Sequence, residues 1–400
     1  MEPTDITTLA VIASAAVLAP LLAELLRRFR IPGVVIEIGL GILIGPQVLG
    51  LAEIGAFEKS LSELGLAFLM FLAGFEIDFD KIKGAPLARA SVGWLMSLVL
   101  AFALSWVLVA EGFAVSALIV GLALTSTALG TLLPMLRDSG ALETRFGAFV
   151  LAVGTVGEFG PIVAVALLLT GDNPGGTAVL LVAFVGIAAG AAVLASRSHT
   201  PRVLALLQKH MNSSAQLPVR ISVLLVILLV WVASELGLDV LLGAFAAGIV
   251  VRLFTVGEHQ HAIGTKLEAI GFGFLIPIFF IVSGMKFDLE ALTSEPSTML
   301  RVLIFLAMFL VVRGVPALVL YRGDLPKPDL VPLALFSATA LPLVVVITEI
   351  GLSTGRMLPE NAAALVGAGM LSVLIYPLIG FALRRRAEPT LDEVVADAAP

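Results

Sequence analysis

The chain has no cysteine among its 400 residues. That excludes disulfide frameworks, thiolate metal centres and a cysteine nucleophile. Charge is also scarce: Asp, Glu, Lys and Arg make up 14%, against 59% hydrophobic residues. Soluble domains carry about 25% charged residues. With a mean hydropathy of +1.08, the chain reads as a polytopic membrane protein. Its formal net charge of −6 says little about partners, because such charges concentrate in loops, and no nucleic acid is expected. The four histidines, His199, His210, His259 and His261, are expected in loops, with no HExxH or other metal-ligand spacing. His259 and His261 could sense pH, but solvated loop histidines are the plainer reading. The N-terminus lacks a basic leader, and positive charge follows the first apolar run, so an uncleaved first helix is expected. No GxGxxG follows a strand pattern, and the acidic tail 387–400 lacks aromatics and reads as disordered. Nucleotide gating within this chain is therefore not expected.

What the chain does have is long apolar runs. A hydrocarbon core of about 30 Å needs about 20 helical residues. Apolar length and breakers mark thirteen spans, at about 5–27, 32–51, 61–79, 87–109, 113–136, 144–171, 176–196, 217–236, 239–255, 263–285, 298–321, 329–351 and 360–383. The longest loop, 197–216, follows span seven. With thirteen spans, Lys59, Lys286, Arg301 and Arg356 fall on one side, Arg313 falls inside span eleven, and all the rest of the 24 Lys and Arg fall on the other side. The positive-inside rule then puts the N-terminus outside and the C-terminus in the cytoplasm.

The chain also repeats itself. Gly74-Phe75-Glu76-Ile77-Asp78-Phe79 ends span three, and Gly284-Met285-Lys286-Phe287-Asp288-Leu289 ends span ten. Leu124-Thr125-Ser126-Thr127-Ala128-Leu129 in span five matches Phe336-Ser337-Ala338-Thr339-Ala340-Leu341 in span twelve. Partners stand seven spans apart, an odd number, so the two copies have opposite orientation, as in secondary transporters. Spans one to six form one copy, eight to thirteen the other, and span seven links them. The fold class expected is an all-α polytopic membrane protein with discontinuous helices.

One carboxylate stands out. Glu158 lies mid-span in Ala-Val-Gly-Thr-Val-Gly-Glu-Phe-Gly-Pro, 152–161. A charge at the bilayer centre costs at least about 2.5 kcal/mol on insertion scales, which makes it a functional candidate. Pro161 has no N–H and leaves the carbonyl of Gly157 without its helical partner, while Gly154, Gly157 and Gly160 admit neighbouring backbones. The stretch suits a small cation or a proton. The plainer alternative is a neutral buried Glu or one that pairs helices. In spans five and twelve, Pro134 and Pro342 free the carbonyls of Gly130 and Ala338. With the hydroxyls of Thr125, Ser126, Thr127, Ser337 and Thr339, these oxygens suit an alkali cation, because irregular backbone survives in a membrane only around a cavity. Ordinary proline kinks are the alternative. Arg313 is the deepest basic residue and stays charged. It is expected to pair with Glu158, directly or nearly so, or else to cap the broken helices. Glu37 reads as helix-packing polarity, and Glu235 and Glu349 as mouth or surface residues.

Five stretches carry a resemblance. They are Ile31-Pro32 with Glu37-Ile38-Gly39 and Gly41-Ile42-Leu43-Ile44-Gly45-Pro46, then 64–79, 124–134, Gly243-Ala244-Phe245-Ala246-Ala247-Gly248, and Pro277-Ile278-Phe279-Phe280 with Gly284-Met285. In these, and in their order over residues 5–385, the chain resembles the second branch of the monovalent cation:proton antiporter family. That branch includes bacterial sodium/proton antiporters and the membrane domains of potassium-efflux systems. The resemblance implies the sodium/proton antiporter fold, with thirteen transmembrane helices in two inverted six-helix repeats and crossing discontinuous helices. It implies a single transporter unit, 1–385, followed by a cytoplasmic tail, 387–400. Scaffold helices at about 5–79 and 217–285 would form a homodimer in the lipid bilayer through helices 1–3 and 8–10. Core helices at about 87–171 and 298–383 would carry transport, with 176–196 as linker. The family's ion-binding acid falls on Glu158 and its mid-helix basic residue on Arg313. The chain departs from the family in having Gly157-Glu158 where Asp preceded by Asn, Asp or Gln is usual, and the extra methylene of Glu158 is expected to use space that Gly157 leaves.

The function expected is therefore a secondary antiporter of the plasma membrane, exchanging Na⁺ or K⁺ for H⁺, electroneutral at 1:1, with no cofactor beyond the transported ions. The ion and proton would be held by Glu158 with Gly157, Ser126, Thr127, Gly130, Ala338 and Thr339, with Arg313 as ion-pair partner. Two other readings remain at this level: an organic-anion symporter that uses Arg313, and a sensor that keeps the fold without transport. No His–acid, Ser–His or paired-Asp constellation sits mid-span to suggest an enzyme.

Overall fold

The computed structural model describes residues 3–26, 31–77, 82–169, 174–197, 215–255, 258–293 and 296–387. The described residues form helices and the turns between them, with no strand. Among the described residues, eight helices are long and apolar enough to cross a membrane: Ile6–Leu25, Ala85–Ala110, Arg145–Val165, Leu217–Glu235, Ala262–Met285, Ser297–Leu320, Lys327–Ser353 and Pro359–Arg384. Four shorter apolar helices, Gly33–Ile44, Ala117–Leu133, Val179–Ala191 and Val240–Phe254, fall on spans two, five, seven and nine. Span three is the helix Ala56–Glu76, whose Glu58, Lys59, Glu63 and Glu76 lower its hydropathy. At 1.5 Å per residue its 21 residues reach about 31 Å, enough to cross. Each of the thirteen apolar runs thus has its helix.

Helix ends differ from the apolar boundaries where polar residues continue a helix or proline stops one. The helix of span ten begins at Glu258, so His259 and His261 lie in its first turn and not in a loop. Hydropathy marks where lipid begins, whereas backbone hydrogen bonding carries the helix further. His199 and His210 lie outside the described residues, as do Asp78 and the tail 388–400. Span two ends early, at Ile44. Pro46 disfavours helical geometry at the residue before it, and the chain turns there, with Gly50 N–H donating to Gly45 O at 2.9 Å.

The chain divides into two compact units, each with its own core. The first comprises Met1–Leu25, Ile36–Asp78 and Ile162–Phe287. Its spans three and nine touch backbone to backbone. A Cβ at Gly74 would fall on the carbonyl of Phe245, and one at Gly248 on the carbonyl of Phe71. Glycine is thus a steric requirement at both positions, as at close helix crossings in membranes generally. Ile12 and Ala15 of span one pack with Ile44 and with Ile278, Ile281 and Met285 of span ten.

The second unit comprises Leu26–Val35, Phe79–Pro161 and Asp288–Pro400, and so holds spans four and five, most of six, and eleven to thirteen. Phe336 of span twelve packs between Phe146 of span six, at 5.8 Å between ring centroids, and Phe381 of span thirteen, at 4.8 Å. Span twelve is the more enclosed, with 83% of its apolar window buried against 22% for span four. Val92, Leu95, Val99 and Trp106 of span four are exposed, as suits a lipid-facing helix. Glu158, Arg313 and both broken helices belong to this second unit.

Candidate ion-binding site

Spans five and twelve are each two half-helices with four unwound residues between. Span five runs Ala117–Leu124, unwinds over 125–128 and resumes as Leu129–Asp138. Span twelve runs Lys327–Ser337, unwinds over 338–341 and resumes at Pro342. The causes differ. Pro342 opens its half-helix, where a missing N–H costs nothing. In span five the break precedes both Gly130 and Pro134, and Gly130 lies in the first turn of the second half. There the hydroxyls compete for backbone carbonyls: Thr125 Oγ1 donates to Leu122 O and Ser126 Oγ to Ala123 O, both at 2.8 Å. In span twelve, Ser337 Oγ donates to Ala334 O at 2.8 Å and Thr339 Oγ1 to Leu335 O at 3.1 Å. These bonds close the carbonyl ends of both first halves.

The unwound backbone finds partners across the unit. Ala128 N–H donates to Thr339 O at 2.7 Å, which joins the two breaks. Thr127 N–H donates to Gly157 O at 3.0 Å. That carbonyl is the one Pro161 deprives of its helical donor, so the proline of span six and the break of span five satisfy each other. Ala340 N–H donates to Ser372 Oγ of span thirteen at 3.0 Å, and Ser372 Oγ lies 2.7 Å from Gly369 O, to which it donates.

Arg313 gathers these elements. It is 4% exposed and sits in a π-helical turn, Leu310–Gly314, in the middle of span eleven. Its Nε and Nη2 donate to Thr127 Oγ1 at 3.0 and 2.9 Å. Nε also donates to Ser337 O, Nη2 to Val153 O and Nη1 to Ser97 Oγ, each at 3.3 Å. Thr127 Oγ1 in turn donates to Ser337 O at 2.6 Å. A cation at the carbonyl end of a half-helix is favoured by the helix dipole. These contacts are those of a cap on the broken helices, the second of the two roles expected for Arg313. A hydroxyl has one hydrogen and two lone pairs to offer, and Thr127 uses all three here. It straps the arginine and has no lone pair left for an ion in this arrangement.

Glu158 is 2% exposed, in the continuous helix Arg145–Leu169. The space beside Gly157 is occupied: a Cβ there would meet Arg313 Nη2 and Thr127 Oγ1. The guanidinium therefore lies on the backbone of the residue next to Glu158. Ser126, Thr127, Ala338 and Thr339 are all buried to within 2% of complete, and their segments meet through the bonds above. Gly130 is only half-buried and lies beyond the break. Glu37 is half-buried in the first unit, and Glu235 and Glu349 are exposed. Sequence reading missed Ser97 and Ser372. The one available signal was need: a buried guanidinium and an unwound backbone require more partners than Thr127 and Ser337 supply.

Against this geometry, a family model described as sodium/hydrogen exchanger, transmembrane, matches residues 13–385. The chain belongs to that family. Among similar curated proteins, a putative Na⁺/H⁺ antiporter of Bacillus subtilis, YjbQ, is 29% identical over 407 aligned positions, which cover 97% of this chain and 64% of that protein. The chain thus spans about two thirds of its length. A probable Na⁺/H⁺ antiporter of Methanocaldococcus jannaschii is 25% identical, with 89% and 91% covered. The Na⁺/H⁺ antiporter NhaS4 of Synechocystis is 31% identical, with 69% and 72% covered. The solved structure of the sodium proton antiporter MjNhaP1 from M. jannaschii superposes with a TM-score of 0.62 at 17% identity, covering 96% of this chain and 99% of that one. That likeness shows the fold, a multi-pass sodium/proton antiporter fold of inverted repeats with discontinuous crossing helices.

Proposed function

We propose that the chain is a secondary antiporter that exchanges Na⁺ or K⁺ for H⁺ by alternating access. Glu158 alternately holds the proton and the cation. The observation that carries this reading is a carboxylate 2% exposed at the centre of span six, beside two helices unwound at matching places. The oxygens of Ser126, Ala338 and Thr339 complete the cation's surroundings, and Gly157 and Thr127 position the carboxylate, while Arg313 caps the broken helices in this state and turns to the carboxylate as its charge partner in another state of the cycle. No cofactor is required beyond the transported ions. Arg313 turns its donors to Thr127, Ser337, Val153 and Ser97, which weighs against an organic-anion symporter built on it.

The protein would sit in the plasma membrane with its N-terminus outside and its C-terminus in the cytoplasm. It would act as a homodimer through spans one to three and eight to ten, with spans four to six and eleven to thirteen as the moving core. The test is reconstitution in vesicles that hold a trapped pH dye, with Na⁺, K⁺ or Li⁺ added in turn. Cation-driven proton movement in the wild type, abolished in Glu158→Gln and Glu158→Ala without loss of folded protein, is the expected result. Exchange at a near wild-type rate in either variant would misplace the site, and silence in the wild type would favour the sensor.

A further inference from the structure

Three helices of the second unit carry a polar layer apart from the Glu158 site. Tyr321 follows Arg313 by eight residues, Arg89 precedes Ser97 by eight, and Phe149 precedes Gly157 by eight. At 1.5 Å per residue each step is about 12 Å along its helix. The three side chains thus form one layer near the edge of the hydrocarbon core, at the end that the proposed topology puts in the cytoplasm. Tyr321 is 1% exposed, and its ring stands edge-on to Phe149 at 5.3 Å. Asp324 lies one turn on, its N–H bonded to Tyr321 O at 3.0 Å. Arg89 Nε reaches Asp324 Oδ2 at 3.0 Å, with the arginine side chain 48% exposed and the aspartate 15%.

Two oxygens in this layer are unsatisfied. Tyr321 Oη and Asp324 Oδ2 are both buried without a hydrogen-bond partner among the described residues. The 3.0 Å approach of Arg89 is an ion pair without hydrogen-bond alignment. Buried polar atoms that lack partners call for an explanation such as a water or an ion. A carboxylate and a phenol oxygen are hard donors of the type alkali cations take.

We propose that Asp324 and Tyr321 form an entry-side cation station, in which the Arg89 guanidinium is a tethered competitor displaced by an incoming Na⁺ or K⁺. The role rests on the antiport reading above, but occupancy of the station does not. A half-exposed arginine loses little on moving into solvent, because exposed ion pairs contribute only about 0–1 kcal/mol. The freed carboxylate then holds the cation at the mouth beside Tyr321, whose level lies about 12 Å from that of Arg313. A charged mouth of this kind raises local ion concentration and capture rate.

The sign of two single variants separates a station from a structural ion pair. If the pair only holds the fold, Arg89→Gln and Asp324→Asn shift transport in the same direction. If Arg89 competes for the site, Arg89→Gln lowers the half-saturating cation concentration on the span-four N-terminal side about fivefold, and Asp324→Asn raises it about fivefold, the equivalent of about 1 kcal/mol and so of one exposed ion pair. Oriented vesicles measure each face separately, and the half-saturating concentration on the opposite face should stay unchanged. Shifts of the same sign, or none, overturn the proposal. A second readout does not need transport. In the Glu158→Gln background, Na⁺ or K⁺ in place of choline should raise the melting temperature more with Arg89→Gln, and not at all with Asp324→Asn. Such stabilisation through Asp324, together with a wild type that moves no protons, would sink the antiport reading and keep the station. Active exchange with no such differences would do the reverse.

Discussion

Replacing Gly157 by alanine tests whether the guanidinium of Arg313 occupies the place of a side chain. The added Cβ would meet Arg313 Nη2 and Thr127 Oγ1 and come within 2.7 Å of Thr127 Cβ. Nη2 must then give up its bond of 2.9 Å to Thr127. Losing one charge-assisted bond costs about 1.5–3 kcal/mol, and overpacking adds about 1–3 kcal/mol. The better helix propensity of alanine offsets about 1 kcal/mol. The net loss is about 2–5 kcal/mol. At about 2.1 cal/mol/K per residue this lowers the melting temperature by about 2–6 °C, measured in detergent. Gly186→Ala in span seven is the control, since nothing lies within 4 Å of a Cβ there. Exchange should fall in Gly157→Ala and persist in the control. Arg313→Lys combined with Gly157→Ala should cost less than the sum of the two, because lysine lacks the Nη2 that the added Cβ meets. A Gly157→Ala protein with wild-type melting temperature and exchange would refute the reasoning.

Thr127→Val keeps the shape but removes the acceptor of two arginine donors and the donor to Ser337 O. It should cost about 3 kcal/mol, because it strands a buried charge, and apparent cation affinity in the vesicle assay should fall with it. Gly248→Ala drives a Cβ onto the Phe71 carbonyl, so it should destabilise the first unit by at least about 1–3 kcal/mol, read as a lower melting temperature. Exchange should be electroneutral, because one carboxylate holds one proton or one monovalent cation while Arg313 stays charged. A valinomycin diffusion potential should leave the rate unchanged. A steady current on a solid-supported membrane that follows the cation gradient would require a second carrier, with Glu37 the first residue to examine.

Much of this protein is written locally. Lipid solvates no backbone, so apolar run length alone predicts helices, and every one of the thirteen runs is helical over most of its described residues. The cost of a charge in the membrane is enough to single out Glu158 and Arg313. The offset between spans five and twelve located both broken helices, and the loss of a donor at Pro161 marked the Gly157 carbonyl that Thr127 N–H takes up. These are properties of one segment or of a periodicity, and the sequence determines them by itself. Contacts between residues far apart in the chain are another matter. Arg313 and Ser97 stand 216 residues apart, and neither segment predicts the other. The break in span five falls at 125–128, ahead of Gly130 and Pro134, because Thr339 O and Gly157 O are there to take its N–H groups. Whether the space beside Gly157 is empty depends on where a guanidinium 156 positions later comes to rest, and it comes to rest against that glycine. Only the tertiary structure decides such things, since a buried polar group takes whichever partners the packing brings within about 3 Å of it.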